Sequence, residues 1–268
     1  MAEEKEIGMI QKFKKYQFLF EELVKRDFNQ KYKRTILGVF WSLLSPLLQL
    51  LVMSVVFKQF FGRSMEHYTI YLFCGNLLFA YFKESTLGGM NALTSNAHIF
   101  TKVNVPKYLF LFSKNVSSLI NFALTLVVFA IFVIVDKVPI GVHYLALIYP
   151  ILCLVVFNLG CGLILSAMFV FFRDTKYLYD IFTLLLMYCS AIFYDASTMT
   201  GTIFGVPMKQ LFYVNPMYCY ITYFREIVLH AQIPSLALHG LCAGYAIVVM
   251  LIGVGVYKHY NQKFLYYV

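Results

Sequence analysis

Long apolar stretches separated by short polar segments dominate the chain. Several of them run for about 20 residues with almost no charge, the length that a helix needs to cross roughly 30 Å of hydrocarbon. Runs such as 122–135 and 151–159 are apolar on every side, whereas a membrane barrel would show short segments that alternate apolar and polar residues. The pattern predicts an all-α polytopic membrane protein.

The spacing of the apolar stretches predicts six transmembrane helices. The fourth contains Pro150, which removes a helical hydrogen bond, so we expect this long span to tilt or kink. The predicted spans are 36–57, 70–90, 109–135, 142–172, 178–194 and 237–257.

Composition agrees with this class. The chain is 60% hydrophobic and 13% charged, with a mean hydropathy of +0.71, whereas soluble domains have about 25% charged residues. Six cysteines show no CxxC spacing and mostly lie in apolar runs, so we interpret them as small hydrophobic residues and expect no metal or disulfide.

Basic residues set the orientation. With six spans, the segment before residue 36, the loops with Lys102 and Lys107 and with Arg173 and Lys176, and the tail after residue 257 all fall on one side. Because loops rich in lysine and arginine stay in the cytoplasm, both termini are predicted to be cytoplasmic. The net charge of +9 follows this topology, so we expect contact with membrane lipids and no nucleic acid.

The segment before the first span predicts an amphipathic helix. Its apolar residues recur at helical spacing, although Asp27 falls on the apolar stripe and Phe18 and Leu19 fall off it. We interpret it as an interfacial helix, either a membrane anchor or a docking surface for a cytoplasmic partner. The first apolar run starts only near residue 36, so no cleavable signal is expected and the chain should be retained whole. The stripe consists of Ile10, Phe13, Tyr16, Phe20, Leu23, Val24 and Phe28.

Two polar features interrupt the apolar pattern on the predicted cytoplasmic side. The loop 91–114 is basic, aromatic and broken by Pro106; it is either a plain connection or a short helix presented to a soluble motor. Lys83 and Glu84 lie in the second span, where ionised groups are costly. Lys83 either snorkels to the surface or Glu84 faces a polar path or a helix contact.

The region 195–232 has ambivalent hydropathy, two proline breaks and the pair Arg225 and Glu226. Backbone that enters a membrane partway needs cover by protein or water. We predict two short re-entrant helices on the outer side that meet near Asn215 and Pro216; a loop folded on the outer surface is the alternative.

Aromatic residues make up 18% of the chain. Many suit interfacial belts, and others could line a path where flat rings contact sugar faces weakly, or simply pack against lipid and neighbouring helices. Gly240 and Gly244 form a GxxxG pattern that favours close helix approach. The candidate channel aromatics are Phe40, Trp41, Tyr71, Phe79, Tyr81, Phe82, Tyr188 and Phe193.

The sequence lacks common motifs of nucleotide binding and of catalysis. It has no GxxxxGK[ST] loop for nucleotide phosphates, no HExxH and no GxSxG. We therefore expect no catalytic residues, no metal site and no ATP binding by this chain.

Four segments together resemble the permease subunits of type-two ATP-binding-cassette exporters, in the polysaccharide, O-antigen and teichoic acid branch. They are 26–57, 99–113, FFRD at 171–174 and NPMYCYITYFREIVL at 215–229. The likeness covers nearly the whole chain. It implies a homodimer paired with two copies of a separate ATPase that binds ATP and Mg, with the transport path between the protomers.

The resemblance also assigns roles along the chain. It implies a cytoplasmic tail and interfacial helix at 1–35, a transmembrane domain at 36–257 and a cytoplasmic tail at 258–268, with a coupling helix near 96–108 and outer gate helices at 196–232. The residues implied to seat in the ATPase are Ile99, Phe100, Thr101, Lys102, Val105, Pro106 and Lys107. Those implied at the outer gate are Asn215, Pro216, Tyr218, Tyr223, Arg225 and Glu226.

The resemblance implies export of a lipid-linked glycan or polyol-phosphate chain across the bacterial plasma membrane. Lys31, Lys33 and Arg34 at the basic cytoplasmic rim are expected to attract the lipid pyrophosphate head. An exporter of a small lipid or drug on the same architecture, and an integral membrane enzyme of lipid-linked sugar metabolism, remain the alternatives.

Overall fold

The computed structural model describes residues 9–61, 66–199, 201–203 and 205–267, without the side chains of 9–14, 58–61, 197, 203 and 206. The stripe residues Ile10 and Phe13 thus lie outside the described side chains. The α-helices are α1 Met9–Tyr32, α2 Trp41–Phe61, α3 Tyr68–Ser95, α4 Ala97–Phe100, α5 Tyr108–Val135, α6 Ile148–Phe171, α7 Thr175–Cys189, α8 Met208–Phe212, α9 Pro216–His230, α10 Leu236–Tyr260 and α11 Phe264–Tyr267.

Short elements complete the described part of the chain. They are 3-10 helices at Gly38–Phe40, Val142–Leu147 and Ala196–Thr198, and an antiparallel hairpin of β1 Thr202–Ile203 and β2 Val206–Pro207. The prediction of a helical fold is confirmed, and the hairpin is a small addition that apolar periodicity does not reveal.

α3 is the central helix of the bundle. It packs against α5 and α6 along its length and against α2 and α9, and its residues 72–79 are all buried. Aromatic contacts join it to its neighbours: the rings of Phe73 and Phe129 lie 5.3 Å apart, and those of Phe82 and Phe157 lie 6.0 Å apart. The polar positions on α3 are therefore held in a rigid frame.

Helix starts follow from capping chemistry. Asn215 caps α9 by accepting a hydrogen bond from the Met217 backbone N–H at 2.9 Å, and Pro216 occupies the first helical position, where no N–H is needed. Pro150 lies in the first turn of α6, after the 3-10 helix Val142–Leu147. Pro150 therefore lies where a 3-10 helix gives way to an α-helix, rather than at a kink inside one long helix. A missing backbone N–H costs little in the first turn of a helix, because it would have no partner within the helix.

α6 and α10 approach each other backbone to backbone at Gly160 and Gly253. A Cβ at Gly253 would lie 2.5 Å from the Gly160 carbonyl oxygen, and one at Gly160 would lie 2.7 Å from the Met250 nitrogen. In contrast, Gly240 and Gly244 have nothing within 4 Å of their Cβ positions. Close packing therefore occurs on α10, but at a different glycine from the one that the GxxxG spacing indicates.

α1 packs its apolar face against α5. Leu23, Asp27 and Tyr32 are buried and Phe20, Val24 and Phe28 are half-buried, whereas Phe18 is exposed. The predicted amphipathic stripe thus lies against the protein, and the prediction that α1 also lies in the membrane interface stays a prediction.

Among the described residues, four helical segments are long and apolar enough to cross a membrane: Gly38–Phe57, Tyr108–Val135, Val142–Phe171 and Leu236–Tyr260. α3 has 28 residues but carries Lys83 and Glu84. α7 has 15 residues, which corresponds to about 22 Å at a rise of roughly 1.5 Å per residue. α7 also ends at Cys189, five residues before the predicted end of the fifth span, so six full spans stay a prediction.

The segments that we predict to be cytoplasmic lie together at one end of the bundle. One apolar cluster joins Leu23 of α1, Phe100 of α4, Tyr257 of α10 and Phe264 of α11. At the opposite end, His67 Nδ1 and Asp136 Oδ2 lie 2.9 Å apart. The predicted cytoplasmic segments therefore share one end of the bundle, and the orientation of the chain in a membrane stays a prediction.

Candidate functional site

An exposed tip follows α4 in the predicted coupling segment. Residues 101–104 are exposed, and they are flanked by the buried side chains of Phe100 and Val105. Thr101 and Lys102 thus lie on the tip itself, while Ile99 and Pro106 are half-buried. Of the residues predicted to seat in an ATPase, the tip residues offer the accessible surface.

Phe100 and Lys107 hold this segment to the C-terminal tail. The Lys107 ammonium donates a hydrogen bond to the Asn261 carbonyl oxygen at 2.6 Å and lies 5.8 Å from the ring centres of both Phe100 and Phe264. Burial lowers the pKa of Lys107 from its ordinary value. Phe100 and Lys107 therefore hold the tip in place through contacts within the protein. The sequence did not distinguish this structural role from direct contact with an ATPase.

A buried carboxylate links α1 to the start of α5. The Asp27 side chain is 2% exposed, and its Oδ1 lies 2.8 Å from Arg26 Nη2 and 3.0 Å from Lys114 Nζ. Arg26 Nη2 also donates to Asn96 Oδ1 at 2.7 Å, next to the start of α4. The acidic residue that interrupts the apolar stripe of α1 thus ties α1 to α5, while its neighbour Arg26 bonds to Asn96 before α4.

A polar groove runs along α3 between α2 and α7. Its volume is about 830 Å³, and we call it the α3 groove. The polar residues Asn76, Lys83, Glu84 and Asn91 lie on the same side of α3 because residues seven apart share a helix face. Gln49 of α2 and Thr183 of α7 also line the groove. Polar and ionisable side chains thus lie in an open groove along part of α3, beside apolar lining residues such as Phe79 and Leu87.

Glu84 is bonded to both α1 and α5. Its Oε2 lies 2.9 Å from Lys31 Nζ, and its Oε1 accepts a hydrogen bond from Asn121 Nδ2 at 2.6 Å. Tyr32 donates to Asn121 Oδ1 at 2.9 Å. Glu84 therefore makes a helix contact and faces the polar path at once, while Lys83 is exposed.

The candidate channel aromatics separate into two groups. Phe40, Trp41 and Tyr188 are exposed, and Tyr71 is half-buried. Packing within the protomer buries the other four, which are Phe79, Tyr81, Phe82 and Phe193. Of the candidate channel aromatics, only the exposed and half-buried ones present ring faces outside the packed core. The periodicity of the sequence could not distinguish them from the buried ones.

At the predicted outer end, side chains bind the backbone of a non-helical segment. Beyond α7, the carbonyl oxygens of residues 191–194 are bonded to side chains of α3 and α9, in an arrangement that we call the carbonyl clasp. Arg225 donates to Ala191 and Ile192 at 2.9 Å each, and Tyr68 and Tyr71 donate to Phe193 and Tyr194 at 2.7 Å each.

Arg225 is the centre of the clasp. It is 6% exposed, donates further to the Tyr71 carbonyl oxygen at 3.1 and 3.2 Å, and lies 3.4 Å from the Tyr71 ring centre. Asn215 adds a bond from Nδ2 to the Cys189 carbonyl oxygen at 3.1 Å. The predicted gate residues Asn215 and Arg225 thus lie on one structural unit.

The other predicted gate residues surround this unit. Tyr218 and Glu226 line an outer cleft of about 270 Å³ together with Lys209 and His230. Buried Tyr223 lies instead against α10, with its hydroxyl 2.6 Å from His239 Nε2. Two helices do meet at Asn215 and Pro216, and their depth in a membrane stays a prediction.

The structure separates the three residues predicted to attract a lipid head. Lys31 binds Glu84 in the α3 groove, Lys33 lines a different groove beside α4, and Arg34 lines neither. Within the described residues, no cluster of three or more His, Cys, Asp or Glu side chains could hold a metal ion. The sequence missed Asp27, Tyr68 and Asn121 as polar contacts, although polar residues within apolar stretches are the signal that would have found them.

The sequence of the chain is similar to those of known transport proteins. The profile of the ABC-2 type transporter family matches residues 19–229. The O-antigen export system permease protein RfbA of Myxococcus xanthus is 24% identical over 266 residues, covering 96% of this chain and 98% of that protein. Two Klebsiella pneumoniae proteins have the same name. One is 24% identical, covering 92% of this chain and 95% of that protein. The other is 27% identical, covering 80% of this chain and 82% of that protein. The chain therefore belongs to the ABC-2 type transporter family and is an integral membrane transport subunit rather than the ATPase.

Proposed function

We propose that this chain is the membrane permease of an exporter that moves a lipid-linked polysaccharide of the O-antigen type outward across the bacterial plasma membrane. The relatives named as O-antigen export permeases span nearly the whole chain. The observation that carries the proposal is the α3 groove, because its amide and ionisable side chains on a central helix suit contact with a hydrophilic chain, and such residues are costly within a membrane unless they serve a function. ATP and Mg bind to a separate ATPase subunit.

A second copy of the chain closes the open side of the α3 groove in this proposal. The helices beside the groove have broad exposed apolar faces, with Val55 of α2 at 64% and Ile181 of α7 at 66% exposed. Exposed apolar surface of this extent suits lipid or another protomer. In a homodimer, the two grooves face each other, and six spans per protomer leave both termini in the cytoplasm.

Two regions couple and gate the path. The tip 101–104 receives the movement of the ATPase, of which two copies bind the dimer, and Phe100 and Lys107 pass it to the bundle through their buried contacts. At the outer end, α8 and α9 form the gate, and the carbonyl clasp fixes its position relative to α3. Phe40, Trp41 and Tyr188 supply ring faces for weak contacts with sugars.

Lys102→Glu tests the coupling assignment, since Lys102 is exposed on the tip and its reversal leaves the packed core intact. We expect the variant to accumulate normally but to lose co-purification with its ATPase subunit and to lose surface polysaccharide. Lys137→Glu is the matched control, because Lys137 is also exposed but lies beyond α5 at the opposite end of the bundle. It should retain both properties.

Two outcomes contradict the proposal. If the unmodified chain binds no ATPase and turns over lipid-linked sugars alone, it is a membrane enzyme. If it binds an ATPase but the cell surface polymer is unchanged when the chain is deleted, it exports a smaller lipid or drug.

A further inference from the structure

The outer cleft adjoins the carbonyl clasp, between the start of α3 and the helices α8 and α9. Tyr71 and Arg225 belong both to the clasp and to the wall of the cleft, so their bonds to backbone carbonyl oxygens also hold that wall in place. The volume of about 270 Å³ lies just below the range of about 300–1,000 Å³ for pockets of drug-sized ligands. The cleft therefore suits one small unit rather than a large molecule.

Glu226 lines the outer cleft with a carboxylate that has no partner among the described residues. It is half-buried, yet it forms no hydrogen bond and no ion pair within the described part of the chain. Burial and the charge of Glu226 together raise the pKa of the Tyr213 hydroxyl, which places the carboxylate near another side chain of the cleft wall. Because a charge that is partly withdrawn from water needs hydrogen bonds, this position suits a ligand that donates them.

Two tyrosine rings form a corner of the cleft. The rings of Tyr213 and Tyr218 lie 5.4 Å apart at an angle of 84°, and Tyr213 is 37% exposed. Phe212 packs against Tyr218 with ring centres 5.1 Å apart, which supports the corner from outside the cleft. A small ring with an apolar face can thus pack on one tyrosine and against the other.

The charges that line the cleft give no positive excess for an anion. Asp195 and Glu226 are acidic, and Lys209 and Arg225 are basic. Arg225 uses four of its five N–H groups to bind backbone carbonyl oxygens. Among the described lining residues, Lys209 is thus the lysine or arginine that keeps its donors for a ligand, and two carboxylates outweigh its charge. A phosphate group is disfavoured here.

A neutral sugar has both of the groups that this cleft can bind. Its hydroxyl groups donate hydrogen bonds to an unpaired carboxylate, and its C–H groups form an apolar face for a tyrosine ring. An apolar drug or lipid would leave the carboxylate of Glu226 without a donor. A sugar phosphate would add a negative charge beside Asp195 and Glu226.

We propose that the outer cleft binds one neutral sugar unit of the exported polymer, and that Glu226 determines this specificity. The carboxylate accepts hydrogen bonds from the hydroxyl groups of a neutral sugar and repels units that carry phosphate. This inference rests on the proposed function, in which α8 and α9 form the outer gate and the polymer passes them. It narrows the polymer to a glycan with neutral units, rather than a polyol-phosphate chain.

Saturation-transfer difference NMR tests the cleft directly. The purified full chain in lipid nanodiscs is titrated with the methyl glycosides of glucose, galactose and mannose, and with the 6-phosphates of the same sugars. We expect saturable binding of at least one neutral glycoside and weaker binding of its phosphate. Glu226→Gln should weaken the neutral ligand about tenfold, through the loss of a hydrogen bond to a charged group. The same variant should bind the sugar phosphate more tightly, because the repulsion is removed.

Glu66→Gln is the matched control, because Glu66 is an acidic residue at the same end of the bundle whose side chain is 91% exposed and does not line the cleft. It should bind both kinds of ligand as the unmodified chain does. Tyr213→Leu is a second variant, which removes a ring and keeps the carboxylate. It should weaken the neutral glycoside but preserve the preference for it over the phosphate. Circular dichroism of each variant shows that the helices are retained.

Three results overturn the proposal. They are the absence of saturable binding by any neutral glycoside, tighter binding of the sugar phosphate by the unmodified chain, and equal weakening of both kinds of ligand in Glu226→Gln. The last would show that Glu226 supports the shape of the cleft rather than its specificity. Because the assay contains neither an ATPase nor a lipid-linked polymer, its failure leaves the co-purification test, and with it the proposed function, untouched.

Discussion

Arg225 shows how one side chain organises the predicted outer end of the bundle. Its guanidinium donates to three backbone carbonyl oxygens, those of Tyr71, Ala191 and Ile192. Gly75 makes room for it, since a Cβ there would lie 2.9 Å from Nη2. A planar group with five donors matches this set of acceptors, which a lysine ammonium cannot reach simultaneously.

Arg225→Met should therefore destabilise the protein by about 3 kcal/mol, because it leaves buried carbonyl oxygens without donors. Arg225→Lys should lose less, since part of the bonding survives. The measurement is the free energy of unfolding by SDS in mixed micelles. Lys209→Met serves as control, since Lys209 lines the neighbouring outer cleft but is exposed. Equal stability of Arg225→Met and the control would contradict the clasp.

At the scale of helices, the contact between α6 and α10 depends on the absence of side chains. The Gly160 and Gly253 backbones touch, so the two helices approach more closely than larger residues permit. Dispersion contacts between backbones replace the hydrophobic effect, which does not drive helices together within lipid.

Gly253→Ala should cost about 2 kcal/mol, the usual range for overpacking a tight contact. Gly255→Ala is the control two residues away, where nothing lies within 4 Å of the Cβ position, and alanine favours the helix by up to about 1 kcal/mol. Thermal unfolding in detergent compares the two variants. An equal fall of the melting temperature in Gly253→Ala and Gly255→Ala would contradict the close contact between α6 and α10.

At the scale of the whole molecule, the C-terminal tail packs into the predicted cytoplasmic end of the bundle. Phe264 is fully buried and belongs to the same apolar cluster as Phe100 and Leu23. The tail, the coupling segment and α1 thus form one body, although they are far apart in sequence.

Phe264→Ala should release the tail, since truncating a buried phenylalanine costs about 3 kcal/mol or more. We expect faster amide hydrogen exchange both in 258–267 and in 99–107, because Lys107 loses its contacts with the tail. Tyr266→Ala, at an exposed position in the same helix, should leave both segments unchanged. Faster exchange confined to the tail would separate it from the coupling segment.

The sequence predicted the helical class, the helix that precedes the first span and the break at Asn215 and Pro216, because each has a local signal in periodicity or capping. It did not predict the early end of α7, since apolar residues continue to Tyr194 while the helix stops at Cys189. Bonds from distant Arg225, Tyr68 and Tyr71 stabilise that non-helical backbone. Long-range contacts of this kind, like the pairing of Asp27 with Lys114, leave no local pattern.

The ion pair of Lys31 and Glu84 makes the cytoplasmic side of the α3 groove easy to open. Both residues also line a second cleft of about 470 Å³ between α2 and α5, so the pair stands where the two spaces meet. A half-exposed pair contributes about 1 kcal/mol or less, and a difference of that size favours the closed arrangement only about fivefold. When Lys31 moves away, Glu84 keeps its bond to Asn121, and water solvates both charges because the Lys31 and Glu84 side chains are 45% and 37% exposed. We therefore expect the Lys31 side chain to leave Glu84 for a substantial fraction of the time, so that the proposed exporter needs no ATP energy to break this ion pair.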